Sequence, residues 1–140
     1  MSCVFCDIIN KTSPASIIYE DDVCIAFLDI FPVGKGHSIL IPKKHCESLQ
    51  DCEPAVAQHL IAVTQKVNAA VMTAADCAGV INEIRNGLEA DQEILHFNIN
   101  ILPRRLNDGF GWFFPPGYKE KEEPRAALDE LAAAAKKELS

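Results

Sequence analysis

Residues 92–104 have the sequence Q-E-I-L-H-F-N-I-N-I-L-P-R, in which apolar and polar side chains alternate. The apolar positions are Leu95, Phe97, Ile99 and Ile101, and the polar positions between them are His96, Asn98 and Asn100. A period of two is typical of a half-buried β-strand and does not fit a helix. We therefore predict a strand over 93–102 whose apolar face belongs to the core. Its polar face either is solvated or lines a site.

Four residues from distant parts of the chain form a candidate metal site. Cys3 and Cys6 make a C-x-x-C pair, while His45 and His96 could complete a Cys2His2 set. Zinc prefers four such ligands in a tetrahedron, and four protein ligands leave no open position for water, so the ion would be structural. The alternative is a redox-active or accidental C-x-x-C pair with two unrelated histidines.

The remaining chain has the pattern of a mixed α and β domain. Residues 17–19 and 23–30 are predicted as a hairpin, followed by a strand over 38–41. Residues 52–75 carry apolar side chains at helical spacing, and Pro54 suits the first turn of that helix. A fourth strand is predicted over 79–85, and Asn86, Gly87 and Gln92 form the loop rim of a pocket. A final helix is predicted over 122–139, with Pro124 near its start.

Length, charge and cysteine content narrow the class of protein. A chain of 140 residues is enough for one domain with a real core. The net charge of -7 argues against a general nucleic-acid binder, and we find no signal peptide or membrane span, so the cytosol is expected. We expect reduced thiols rather than a disulfide framework. The cysteines outside the candidate metal site, which are Cys24, Cys46, Cys52 and Cys77, are interpreted as buried or incidental thiols.

In combination, several motifs resemble the histidine triad (HIT) superfamily. They are C-x-x-C, I-I-Y-E-D-D at 17–22, F-L-D-I at 27–30, G-H-S-I-L-I-P-K-K-H at 36–45, and the Gln-led strand that ends in L-P-R. The resemblance implies an α+β fold: a five-stranded antiparallel sheet with two main helices plus a C-terminal helix. It implies a HIT-like domain over 1–112, with residues 113–140 packed on the same domain. It also implies a symmetric homodimer and a zinc ion on the quartet Cys3, Cys6, His45 and His96.

The resemblance further implies a purine nucleoside or nucleotide as ligand. Apolar residues would hold the base, namely Phe5, Ile8, Phe27 and Ile30, while Gln92 and Asn98 would complete the site. Asp29 would hold the ribose hydroxyls, although its position also suits a cap for the following turn. The catalytic triad positions are His96, Asn98 and Asn100, and in the family the middle one is a histidine that attacks the α-phosphorus.

The chain departs from the family at the positions that carry this chemistry. Asn98 has no basic ring nitrogen, so it cannot form a nucleotidyl intermediate as an imidazole does. Near the expected phosphate, Asp91 and Glu93 replace Gly and Ser or Thr, and Arg85 replaces an Asn. Carboxylates there would repel the phosphate. We expect Arg85 to pair with Asp91 or Glu93 and to fill the space of the phosphate.

Three functions are consistent with these residues. The favoured one is a HIT-like protein that keeps zinc and a nucleoside or nucleotide pocket but lacks nucleotidyl hydrolase and transferase activity. The second is an active hydrolase in which another residue serves as nucleophile, with His37 the nearest candidate. The alternative role of His37 is to order its own loop by hydrogen bonding. The third is a zinc-stabilised dimeric interaction module without a small ligand. His59, on the long helix, is interpreted as a surface or interface residue.

Overall fold

Five antiparallel strands form one sheet in a computed structural model that describes residues 3–139. The order across the sheet is β1-β2-β3-β5-β4. The strands are β1 (Ile17–Glu20), β2 (Cys24–Leu28), β3 (Ser38–Pro42), β4 (Gly79–Glu83) and β5 (Ile99–Arg104), and the helices are α1 (Val4–Ile9), α2 (Pro54–Ala75) and α3 (Arg125–Leu139). The predicted fold, a five-stranded antiparallel sheet with helices, is confirmed.

The helix α2 covers one face of the sheet. It begins at Pro54, which lies at its first position, and it ends before Asp76, whose φ of 52° is left-handed. Its buried stripe contains Leu60, Val63, Val67 and Val71. This stripe packs against apolar residues of the sheet and against Phe97 just before β5; the sheet residues are Cys24, Ala26, Leu40, Ile99 and Ile101. The 3.6-residue spacing of the sequence thus places α2 as predicted.

The short helix α1 covers the opposite face. Phe5 and Ile8 of α1 pack in a second buried cluster with Ile25, Phe27, Ile39 and Ile41 of the central strands. Because β2 and β3 are covered on both faces, nearly all of their residues are buried. Asn100 is opposite Ile39 in the register, so it lies on the face that α1 covers.

The predicted strand over 93–102 begins later than expected. The strand β5 starts at Ile99, and residues 92–98 leave the ladder. The amide of His96 donates to the carbonyl of Ile94 at 2.8 Å, and the amide of Phe97 donates to the carbonyl of Cys46 at 2.7 Å. These bonds turn the chain away from β3, so the alternating pattern predicted the type of element correctly and its first residue wrongly.

The expectation that Cys46 and Cys52 are free thiols is wrong, because the structure joins them in a disulfide. They lie at the two ends of a tight loop in which Ser48 and Asp51 cap each other reciprocally. That loop brings the two Cα atoms to 5.5 Å, within the range that a disulfide spans. The cysteines described as free are Cys3, Cys6, Cys24 and Cys77.

The chain divides into two units, Met1–Gly109 and Phe110–Ser140. The second unit contains α3 and a stacked aromatic pair, Phe114 and Tyr118, whose ring centroids are 4.3 Å apart. The packing of residues 113–140 on the HIT-like domain stays a prediction. Among residues 3–139, no helix is long and apolar enough to cross a bilayer.

Candidate functional site

The predicted metal ligands meet at one point. Cys3 and Cys6 lie at the start of α1, His45 follows β3, and His96 lies in the segment before β5. Their ligand atoms all lie within 4.8 Å of one another. The fold therefore brings together all four residues of the predicted quartet, although they come from three distant segments.

Four of the six distances within the quartet are close to those of a tetrahedral zinc site. The Nδ1 atoms of His45 and His96 are 3.1 Å apart, and the sulfur-to-nitrogen distances are 3.4, 3.4 and 3.7 Å. Bonds of about 2.0–2.1 Å to nitrogen and about 2.3 Å to sulfur place neighbouring ligands of a tetrahedron about 3.3–3.7 Å apart. The four side chains thus need little adjustment to bind the ion.

His96 is oriented for metal binding by its second ring nitrogen. Its side chain is 0% exposed, and its Nε2 donates to the carbonyl of Pro42 at 2.9 Å. That bond places the proton on Nε2 and leaves the lone pair of Nδ1 for the quartet. Burial lowers the pKa of His96, against the effect of the Pro42 hydrogen bond, so the imidazole is held neutral. Burial also raises the pKa of the Cys6 thiol, with Cys3 adding to the rise.

A second polar network contains Asn98 and Asn100, which lie two and four residues after His96. The amide of Val33 donates to Nδ1 of His37 at 3.2 Å, so Nε2 of His37 carries the proton and donates to Oδ1 of Asn100 at 2.8 Å. Asn100 donates to Oδ1 of Asn98 at 3.2 Å, and Asn98 donates to the carbonyl of His96 at 2.9 Å. All bonds of this chain run in one direction, from Val33 to His96. The side-chain amides of Asn98 and Asn100 are therefore both hydrogen-bonded within the protein.

Asp29 adopts the capping role that its position predicted. Its Oδ1 accepts from the amide of Phe31 at 2.8 Å, and its Oδ2 lies 3.5 Å from Nε2 of His37. The Asp29 side chain is 21% exposed. The structure places Asp29 beside the polar network of Asn98 and Asn100.

The predicted base-binding residues divide into two groups. Phe5, Ile8 and Phe27 are buried, and the rings of Phe5 and Phe27 meet edge to face at 5.6 Å. Ile30 is 82% exposed, in the loop that follows β2. The first three residues thus belong to the buried core cluster, and Ile30 is the one that a ligand can contact most freely.

Gln92 holds the loop 86–92 to the loop that the disulfide closes. Its Oε1 accepts from the amide of Gly87 at 2.8 Å, and its Nε2 donates to the carbonyls of Glu47 and Ile94 at 2.6 and 3.1 Å. Asn86 accepts from the amide of Leu49 at 2.9 Å. Both polar atoms of the buried Gln92 side chain are therefore engaged within the protein.

The expected partner of Arg85 is wrong. Its Nε lies 2.9 Å from Oε1 of Glu83 and its Nη2 donates to Oε2 at 3.3 Å, so Glu83 neutralises it with both oxygens. Asp91 contributes only its backbone carbonyl, 3.3 Å from Nη1. Glu83 is opposite Asn100 in the register of β4 and β5, and its side chain is only 9% exposed. The guanidinium charge is therefore compensated beside the triad positions.

Two features of this region lie outside the sequence predictions. The place of Glu83 beside Asn100 is one, because only the register of β4 against β5 brings these two residues together. The Cys46–Cys52 disulfide is the other, although a separation of six residues is a spacing that a disulfide can close. His37, the candidate nucleophile of the second predicted function, instead links the amide of Val33 to Asn100 through its two ring nitrogens.

Comparisons with known proteins agree with this fold. The HIT domain family matches residues 10–107. An uncharacterised HIT-like protein of Borreliella burgdorferi is 38% identical over 112 residues, which are 79% of this chain and 81% of the relative. A Zn-bound histidine triad family protein from Mycobacterium smegmatis has 34% identity and a TM-score of 0.75, with 96% of this chain and 98% of that chain covered.

A further solved structure extends the similarity over nearly the whole chain. The histidine triad nucleotide-binding protein from Candida albicans has 25% identity and a TM-score of 0.85, and the match covers 99% of this chain and 97% of that one. The family match covers well over half of the chain, and the described quartet and sheet are consistent with it. The chain belongs to the HIT family.

Proposed function

We propose that this HIT protein binds a purine nucleoside, holds a structural zinc ion and does not catalyse nucleotidyl transfer. The observation that carries the proposal is the one-directional hydrogen-bond chain from His37 through Asn100 and Asn98 to the carbonyl of His96. Carboxamides can continue such a chain because they both donate and accept. They supply no basic nitrogen to attack phosphorus.

No other histidine supplies that nucleophile. The sequence contains four histidines, and all four lie within residues 3–139. His45 and His96 belong to the metal quartet, and Nδ1 of His37 accepts from the amide of Val33. His59 lies on α2, on the opposite face of the sheet from Asn100, and contacts Asp21. This placement argues against an active hydrolase that uses His37.

The quartet geometry supports zinc as the metal. Cys3, Cys6, His45 and His96 match tetrahedral edges, and the similar protein from Mycobacterium smegmatis is Zn-bound. Bound zinc would keep both thiols deprotonated and join three segments of the chain. Because the protein provides all four ligands, the metal has a structural role in this proposal.

The nucleoside pocket is supported by Asp29 and Ile30. The partly exposed carboxylate of Asp29 would accept from ribose hydroxyls, and Ile30 offers an exposed apolar surface to the base. The similar protein from Candida albicans is described as nucleotide-binding. The residues that would face a phosphate do not suit an anion. Glu83 neutralises Arg85, and Asp91 and Glu93 add exposed carboxylates.

The backbone of the same loop offers few free donors. The amides of Gly87, Ala90, Asp91 and Gln92 all have partners within residues 87–92. An anion-binding loop instead directs several free amides at its ligand. We therefore expect adenosine to bind more tightly than AMP.

We also expect a symmetric homodimer, which size-exclusion chromatography with light scattering would detect.

Calorimetric titration with adenosine and with AMP tests the proposal, together with an assay of adenosine phosphoramidate hydrolysis. The expected result is saturable adenosine binding, weaker AMP binding and no turnover. Asp29→Asn should weaken the binding of adenosine but not of 2′,3′-dideoxyadenosine, because only the first offers ribose hydroxyls to the carboxylate. Turnover together with a trapped adenylate would contradict the proposal that the protein has lost nucleotidyl transfer activity.

A second candidate function is a zinc-stabilised interaction module. It is favoured by Ile30 and Phe31, which are neighbouring apolar side chains with exposed fractions of 82% and 83%. Large exposed apolar side chains that adjoin each other suit a protein contact. Failure of both adenosine and AMP to bind would favour this function over the nucleoside pocket.

A further inference from the structure

A second group of metal-binding side chains lies on the other face of the sheet. Asp21 belongs to the turn between β1 and β2, Cys24 begins β2, and His59 lies in the second turn of α2. One ligand atom of each lies within 4.8 Å of the other two. We propose that Asp21, Cys24 and His59 form a three-ligand site for a divalent ion of borderline softness, with zinc as the best match.

The carboxylate of Asp21 is fixed in position by its own turn. Its Oδ1 accepts from the amides of Val23 and Cys24, both at 2.8 Å. Its Oδ2 lies 2.7 Å from Nε2 of His59 and accepts from the hydroxyl of Tyr19 at 2.8 Å. The two backbone bonds hold one oxygen and direct the other at the imidazole. The site is thus oriented by groups that are not themselves ligands.

The three ligand types match the preferences of zinc. Imidazole nitrogen, carboxylate oxygen and thiolate sulfur all bind it, and three protein ligands with one open position are a common zinc arrangement. Tetrahedral edges of about 3.3–3.6 Å follow from the usual bond lengths. The pair His59 and Asp21 is closer than this, at 2.7 Å. Side-chain shifts on the order of 1 Å would bring the ligands to these distances.

An ion can reach this site from solvent. The side chain of His59 is 40% exposed and that of Asp21 is 24% exposed, whereas Cys24 is fully buried. The thiol therefore lies at the inner end and the imidazole at the outer end. A water molecule would supply the fourth ligand of a tetrahedral ion.

Proton release accompanies binding, because a thiol binds zinc as the thiolate. The ion takes the place of the Cys24 thiol proton, which leaves to solvent. It also replaces the Nε2 proton of His59, which moves to Nδ1 in the neutral ring. One proton is released per ion when His59 starts neutral.

This site is separate from the quartet. It shares no residue with Cys3, Cys6, His45 and His96, and it lies with the residues that α2 covers rather than with those that α1 covers. The two sites can thus be loaded independently, so the inference does not depend on the proposed nucleoside binding. The prediction is two metal ions per chain at saturation.

Metal counting on the intact chain tests the inference. The protein, purified without reducing agent, is dialysed against excess zinc and then against buffer, and zinc is measured per chain. We expect two ions for the wild type and one for His59→Gln, which changes an exposed residue. Competition with a chelator should show second-site affinity at least about 100-fold lower in the variant, because loss of a ligand costs at least as much as loss of a supporting group.

Cobalt provides the test of thiolate ligation. In a Cys3→Ser/Cys6→Ser chain, added Co²⁺ should produce a thiolate-to-cobalt charge-transfer band that Cys24→Ser removes. Cys77→Ser is the matched control, since Cys77 is the other free cysteine outside the quartet among the described residues, and it should leave the band unchanged. One zinc in both the wild type and His59→Gln would overturn the inference, and so would a band that survives Cys24→Ser.

Discussion

The two halves of the segment His96–Asn100 differ in chemistry although they adjoin each other. His96 is buried, keeps a free lone pair on Nδ1 and meets three other metal ligands. Asn98 and Asn100 lie two and four residues further on, and their amides are engaged in a chain of hydrogen bonds. The comparison shows that one segment can retain a metal site and lose a nucleophile, because the two depend on different atoms.

One loop supports two neighbouring regions: the metal half, which is His96 with its partner ligands, and the phosphate side, which is the acidic segment of residues 86–93 near the expected phosphate. The loop closed by the Cys46–Cys52 disulfide accepts from the amide of Phe97 and from the side chain of Gln92. It therefore contacts the metal half through the neighbour of His96 and the phosphate side through Gln92. Changes that break this support should affect both regions, whereas changes in one region should affect one property.

The largest effect is expected from loss of the metal half. His96→Ala removes a fully buried ligand, so the free energy of unfolding should fall by at least about 4 kcal/mol. The unfolding midpoint should fall by more than about 10 °C. Thermal unfolding followed by circular dichroism, with zinc measured on the same samples, checks this prediction.

Asn98→Ala is the matched control for that experiment. It lies two residues away and loses only the hydrogen bonds of one amide, so the expected cost is about 1 kcal/mol with zinc content unchanged. A chelator should destabilise the wild type and Asn98→Ala by similar amounts. Equal stability of His96→Ala and Asn98→Ala would contradict a structural role for the metal.

The next effect concerns the shared support. Cys46→Ser/Cys52→Ser should lower the free energy of unfolding by about 2 kcal/mol, since the disulfide closes only a short loop. Urea unfolding under non-reducing conditions measures this change. Cys77→Ser should have a smaller effect, because this thiol only donates a weak hydrogen bond to the carbonyl of Gly79. The wild type with dithiothreitol should behave as the double variant does.

Local patterns of the sequence predicted much of the fold and the metal half. Alternation placed the strand that contains Ile99 and Ile101, and helical spacing placed α2 with Pro54 at its start. The Cys and His residue types suggested the quartet, with an accidental or redox-active C-x-x-C pair as the alternative, and the resemblance to the HIT superfamily favoured the quartet. These features are set by residues close in sequence or by a demanding chemistry.

Features set by long-range partners could not be predicted in this way. The departure of residues 92–98 from the ladder depends on the carbonyl of Cys46, which belongs to a distant part of the chain. The position of Glu83 opposite Asn100 depends on the register of β4 against β5. The sequence pattern specified no partner in either case.

A smaller effect is expected when only the phosphate side is changed. Asp91→Gly/Glu93→Ser removes two exposed carboxylates, and AMP affinity should rise about tenfold, which is about 1.4 kcal/mol, while adenosine affinity stays constant. Calorimetry at low and high salt checks the cause, since the gain should shrink when salt screens the charges. The control is Asp22→Asn, an exposed carboxylate in the turn between β1 and β2. If the double variant shows no gain in AMP affinity, the carboxylates of Asp91 and Glu93 do not repel the phosphate.

The smallest effect is expected from Asn98→His alone. The new imidazole can donate from one nitrogen to the carbonyl of His96, as Asn98 does, and present the other as a nucleophile. Asp91 and Glu93 would still oppose the phosphate, so hydrolysis of adenosine phosphoramidate should stay within about tenfold of background. The triple variant Asn98→His/Asp91→Gly/Glu93→Ser should be at least about tenfold faster than Asn98→His, because its phosphate side binds the substrate.

The comparison of these two variants separates the lost nucleophile from the lost anion subsite. If Asn98→His alone traps adenylate and turns over as fast as the triple variant, the acidic loop is no obstacle and the nucleophile is the sole difference. If neither variant traps adenylate, the hydrogen-bond chain from His37 through Asn100 does not orient a histidine at position 98. Intermediate trapping that rises only in the triple variant is the expected result, because in-line attack requires both a basic nitrogen and a phosphate held close to it.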